Sequence, residues 1–196
     1  MKLSPIYPSG IIRSLINSDA VTPVTTKALN DRLQMATTNV FFDDYNYHLL
    51  SIICDRLVDQ SPGNRMVNIA AFIDERLAKR KSGGWRFDHM PPDHEMYRKG
   101  LIGVDETAGV LFNAVFDQLT IEKQNAVLQA LQSGTATGMI WQQMSSVTFF
   151  EELLAEATET FYAHPLAQEE IGYAGMADAY GWQKVGLNEM EAIGPK

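Results

Sequence analysis

Ser146-Val-Thr-Phe149-Phe150-Glu-Glu-Leu153-Leu154-Ala-Glu-Ala157-Thr-Glu-Thr-Phe161 is the stretch whose reading decides the fold. Phe149, Phe150, Leu153, Leu154, Ala157 and Phe161 recur three and four residues apart, while Glu151, Glu152, Glu156 and Glu159 fall largely off that stripe. A period near 3.6 with one apolar face predicts an amphipathic helix laid against a core, and Ser146 is the residue type that caps one.

The same signature repeats upstream. Thr22-Pro23 places a capping residue before a proline at the first helical position, predicting a helix through Met35 with Leu29 and Leu33 one turn apart. Asp43-Asp44 opens a segment striped by Leu49, Ile53 and Leu57, with Leu50 and Ile52 beside them, and Ser61-Pro62-Gly63 closes it. Residues 65–80 carry Val67, Ile69, Ala70, Phe72, Ile73 and Leu77 before Ser82-Gly83-Gly84. From Pro92 a polar helical stretch reaches Leu101, and a separate apolar one holds Val110, Leu111, Ala114, Val115 and Leu119. Thr120 with Glu122 starts a helix bearing Val127, Leu128 and Leu131, which Ser133-Gly134 ends. No stretch alternates apolar and polar residues with β-branched enrichment, so strands are not predicted. The reading is an all-α, single-domain helical bundle of six or seven helices. Residues 1–20 form an N-terminal segment, 21–163 the helical domain, and 164–196 an irregular C-terminal arm.

Composition bounds the function. A chain of 196 residues, 45% of them hydrophobic, can bury a substantial core in one domain. A net charge of −8 argues against a nucleic-acid surface, which needs a dense field of Lys and Arg. The one basic cluster, Lys79-Arg80-Lys81, suits a helix C-terminus. The single cysteine, Cys54, cannot form an internal disulfide, and Ile52, Ile53 and Leu57 around it predict a buried small hydrophobe. No window of 18 apolar residues occurs and the first residues hold no twin arginine, so neither a membrane span nor an export signal is expected. The expected location is the cytoplasm, unless a partner's signal exports the pair.

Cofactor and nucleophile fingerprints are absent. There is no Gly-x-Gly-x-x-Gly, no Cys-x-x-Cys-His, no phosphate-cradling loop and no Gly-x-Ser-x-Gly elbow. No catalytic, cofactor-binding or metal-binding residue is therefore assigned to this chain. One cluster invites a competing reading: Asp88-His89-Met90-Pro91-Pro92-Asp93-His94-Glu95 gathers two imidazoles and three carboxylates. An independent metal-dependent enzyme would use His89 and His94. Two consecutive prolines hold that backbone extended, however, and a polar loop that caps the following helix fits the spacing better. His48, beside an apolar helix face, reads as a satisfied structural histidine. The pairs Asp43-Asp44, Glu151-Glu152 and Glu169-Glu170 read as solvated faces, because neighbouring residues on a helix point about 100° apart.

After the Phe149 helix the chain turns glycine-rich and aromatic, from His164 to Trp182. Interfaces concentrate their energy in aromatic and methionine anchors, which makes Tyr162, His164, Tyr173, Met176, Tyr180 and Trp182 the expected partner-facing residues, with Gly172, Gly175 and Gly181 letting the backbone lie close. The apolar N-terminal residues Ile6, Tyr7, Ile11, Ile12, Leu15 and Ile16 form a second candidate arm, for which packing on the chain itself is the better reading.

Phe149-Phe150, Thr158, Phe161-Tyr162-Ala-His164-Pro165 and Gly181-Trp182-Gln-Lys-Val-Gly186, together with Gly100-Leu-Ile-Gly-Val-Asp105 and Phe116 to Gln124 upstream, resemble the gluconate 2-dehydrogenase subunit 3 family in order and spacing. The similarity runs from about Phe41 to Gly186. The resemblance implies a non-catalytic small subunit that binds, stabilises and helps mature a large FAD-containing subunit of the glucose-methanol-choline oxidoreductase type. That large subunit oxidises a sugar or polyol such as gluconate, glucose or a glucoside, and a cytochrome c subunit carrying haem often takes the electrons. Many members carry a twin-arginine signal, which this sequence lacks, and Leu166-Ala-Gln-Glu-Glu170 stands where the family often has an asparagine-containing stretch.

Overall fold

A computed structural model describes residues 10–34, 39–82, 87–173, 178 and 186–188. Among the described residues the chain is all-helical, with eight α-helices, two short 3-10 turns and no strand. They group into two compact units, 1–36 with 161–196 and 37–160.

The first unit contains α1 (Ile11–Ile16), α2 (Pro23–Leu33) and α8 (Pro165–Glu170). Ile11, Ile12, Leu15 and Ile16 close a small core with Val21 and Leu29, and Leu33 packs against its edge. Thr22 caps α2 as its sequence predicts, with Pro23 following, and the Thr26 hydroxyl ties α2 back to the Ile16 carbonyl at 3.0 Å. Residues 165–170, read from sequence as part of an irregular arm, are helical: Pro165 takes the first position and His164 caps it.

The second unit contains α3 (Asp44–Leu57), α4 (Ile69–Ala78), α5 (Asp93–Phe112), α6 (Ile121–Gln132) and α7 (Ser146–Tyr162) up to Thr160. Leu50, Ile53, Ile73, Leu101, Val104, Phe116, Val127 and Phe149 fill its core, each fully buried. Asp43 caps α3 by accepting from the Asn46 N–H at 2.8 Å, and Gly134, at φ 72°, follows α6 in the left-handed conformation. The cap of α7 is Ser145 rather than Ser146. Its Oγ accepts from the Thr148 N–H at 3.1 Å, while the Ser146 hydroxyl donates to the Leu131 carbonyl.

Helix α5 corrects the sequence reading most. The stretch predicted to reach Leu101 runs on without a break to Phe112, taking in Val110 and Leu111 of the apolar stretch predicted after it, while Ala114, Val115 and Leu119 lie beyond the helix, which Asn113 ends in the left-handed conformation. Its buried face holds Leu101, Val104 and Ala108, whereas Val110 and Leu111, read as part of an apolar helical stretch, are exposed. Gly100 and Gly103, which weaken helix propensity, are explained by packing. A Cβ on Gly100 would stand 2.1 Å from Phe149 Cε2, and one on Gly103 would stand 2.4 Å from Trp141 Cζ2. The indole lies on the bare backbone, and its N–H donates to the Gly103 carbonyl and the Thr107 hydroxyl at 3.1 and 2.9 Å. Two glycines thus turn a helix face into a seat for two aromatic rings.

Buried polar side chains organise the loops, as unpaired backbone groups require. Asp74 is 1% exposed and accepts from the N–H groups of Val40, Phe41 and Phe42 at 2.6–3.2 Å. Asp55, equally buried, pairs with the Arg65 guanidinium at 2.8 Å. The Gln60 amide accepts from Met66 and Val67 and donates to the Val67 carbonyl, fixing the chain before α4.

Candidate functional site

Charged groups converge between α4, α5 and α7. Arg76 Nε lies 2.5 Å from Glu156 Oε1 and Nη2 lies 2.8 Å from Oε2, while Nη1 reaches Asp93 Oδ2 at 2.7 Å and the Lys81 carbonyl at 2.8 Å. The buried Tyr97 hydroxyl donates to Glu156 Oε2, and the guanidinium lies 5.7 Å from the centre of the Tyr97 ring. Burial opposes the charge on Arg76, but hydrogen bonding to Glu156 overcomes it and the pKa rises above the ordinary arginine value. Burial, reinforced by Glu156, pushes the Tyr97 phenol well above its usual range. Glu152 is also raised, first by burial and then by Asp93, Glu156 and Glu151. Cys54 is fully enclosed, and burial drives its thiol far from the thiolate form that a nucleophile needs. A neutral phenol, a neutral thiol and a guanidinium that holds two carboxylates tie the second unit together. Neither the phenol nor the thiol is an activated nucleophile.

The histidine loop is spread along the chain. His89 Nε2 stands 3.4 Å from the Thr148 hydroxyl and its ring 5.5 Å from Phe87, while His94 is exposed in the first turn of α5. Among the described residues no group of three or more His, Cys, Asp or Glu side chains is placed to hold a metal ion. His48, read as a satisfied structural histidine, is instead exposed on α3.

At the C-terminal end the expected partner-facing residues divide three ways. Tyr162 and Tyr173 are 46% and 47% exposed, and Ile171, which the sequence reading did not single out, is 55% exposed. His164 turns inward at 6% exposure: Nδ1 accepts from the Leu166 N–H at 3.2 Å, and Nε2 lies 3.1 Å from the Arg32 carbonyl. That pair of partners requires the neutral tautomer with hydrogen on Nε2, and burial lowers the His164 pKa accordingly. Met176, Tyr180 and Trp182 lie outside the described residues.

The sequence analysis missed Arg76, Glu156 and Tyr97 as a set. The signal was weak, because Glu156 lies off the apolar stripe of its own helix and its partners stand 80 and 59 residues away.

Among the described residues the chain is all-helical, its buried Asp74 and Asp55 are taken up by loop N–H groups and by Arg65, and no helix is long and apolar enough to cross a membrane. Residues 44–186 match the family described as gluconate 2-dehydrogenase subunit 3, and the chain belongs to that family. The family is that of an accessory subunit of a dehydrogenase complex. No curated protein and no solved structure gives a significant match to the chain.

Proposed function

We propose that this chain is the non-catalytic small subunit of a sugar or polyol dehydrogenase complex, where it binds and stabilises the large FAD-containing subunit and assists its maturation. The observation that carries the reading is the family match across residues 44–186. The structure supports it through its distribution of groups. The buried ionisable side chains are engaged in loop anchoring and helix pairing, whereas Tyr162, Ile171 and Tyr173 remain exposed at the C-terminal end. Exposed aromatics of this kind anchor interfaces at a few kcal/mol each. The flavin belongs to the large subunit and any haem to a cytochrome c subunit, and this chain holds neither in the proposal.

The test is co-expression with a large flavoprotein dehydrogenase of the glucose-methanol-choline type from the same organism, followed by size-exclusion chromatography. The expected result is one co-eluting peak, with Tyr173→Ala weakening the association about tenfold or more, as loss of a hot-spot aromatic does. Two separately eluting proteins would overturn the reading.

A further inference from the structure

Helix α1 begins without a side-chain cap, and the Thr22 cap of α2 is a long one. Gly10 precedes α1 at φ 88° and offers no side chain, and Thr22 accepts from the Thr25 N–H only at 3.5 Å. The missing acceptors come from the other end of the chain. Glu169, on α8, accepts from the Gly10 and Arg13 N–H groups at 3.2 and 3.0 Å, and from Arg13 Nε and Nη2 at 3.2 and 3.1 Å. Asp178 accepts from the Thr22 N–H, and from the Thr22 hydroxyl at 2.9 Å. The Glu169 side chain is 7% exposed, and all four bonds are charge-assisted.

We propose that α8 and Asp178 act together as a strap that caps the first two helices from the far end of the chain, so that α1 and α2 are ordered only while the strap is seated. A six-residue helix such as α1 cannot persist alone in water. Its order rests on the cluster of Ile11, Ile12, Leu15 and Ile16 with Val21 and Leu29, and on the donors that Glu169 satisfies. Unseating the strap removes the acceptors from both helix starts at once and takes α8 off the side of α1 and α2 on which it packs. The local electrostatics agree: for both carboxylates burial opposes ionisation, and hydrogen bonds, from Arg13 and Gly10 in one case and from Thr22 and Thr25 in the other, overcome it and lower the pKa. The coupling runs within one unit, from residue 169 to residue 10 and from 178 to 22.

Hydrogen exchange of the full chain, read by mass spectrometry, tests the strap. In the double variant Glu169→Ala with Asp178→Ala, which removes both acceptors, amides of residues 11–33 are expected to exchange about tenfold faster, the effect of losing helix caps, while peptides from α3, α5 and α6 stay as in the wild type. Arg13→Ala, which keeps the backbone donors, is expected to give a smaller acceleration confined to the same residues. Glu170→Gln, one position from the anchor and exposed, is expected to change nothing. Unchanged exchange in residues 11–33 of the double variant would overturn the proposal, as would equal acceleration throughout the chain or the same acceleration in Glu170→Gln.

Discussion

Phe149→Ala is expected to lower the stability of the second unit by about 3–5 kcal/mol, the usual cost of emptying a fully buried aromatic site. For a chain of this size that is a fall in Tm on the order of 10 °C, read by circular dichroism. Phe149 is wholly buried and lies against Gly100, with its ring edge-on to Tyr97 at 6.2 Å and tilted on Trp141 at 5.7 Å. The cavity would open in the middle of α5, where the backbone is bare and cannot collapse far. The pairing with Gly100 gives the prediction a second edge. In the wild type, Gly100→Ala drives a methyl into the ring and is expected to cost about 1–3 kcal/mol. In the Phe149→Ala background the same methyl enters empty space and gains helix propensity of about 1 kcal/mol, so the sign reverses. Losses that simply add in the double variant would contradict the seating of Phe149 on Gly100.

Arg76→Met is expected to destabilise the second unit by about 2–4 kcal/mol at neutral pH. Breaking a buried pair by removing one partner commonly costs about 3–5 kcal/mol, reduced here because the Arg76 and Glu156 side chains are about a quarter exposed, at 24% and 22%. The substitution leaves Glu156 and Asp93 without their cation and removes the one group that lowers the pKa of Glu152. Glu152 is already raised in the folded state, and in the variant it rises further. A raised carboxyl favours the fold while it is protonated and loses that contribution as pH climbs through its folded pKa. The deficit against the wild type is therefore expected to be smaller in urea unfolding at about pH 4.5 than at about pH 7. A deficit that is constant across this window would assign the loss to packing of the arginine stem instead.

The fold class was legible wherever periodicity, caps and breakers agreed. The α7 stripe, the Thr22-Pro23 start, the Asp43 cap and the Ser133-Gly134 stop are local signals, and each falls where its chemistry places it. Reading failed where a residue's reason lies far along the chain. Gly100 and Gly103 weaken α5 locally, and only Phe149 and Trp141, dozens of residues later, explain them. Val110 and Leu111 belong to an apolar stretch in the sequence, yet the helix they continue has already set its inward face through Leu101, Val104 and Ala108. Glu169 read as half of a solvated acidic pair, although its acceptors face donors at Gly10 and Arg13. Of the C-terminal residues chosen from composition, Tyr162 and Tyr173 are exposed while His164 caps α8. Composition identified the aromatic character of that region, but a histidine before a proline serves a partner or a helix start equally well in sequence.

The proposed role, maturation of a flavoprotein partner, is tested most directly by the flavin content of that partner. The large dehydrogenase subunit purified after expression with this chain is expected to carry close to one FAD per polypeptide and to oxidise its sugar. Expressed alone, it is expected to be depleted of FAD and largely insoluble. Equal flavin occupancy and equal specific activity in the two preparations would contradict the account.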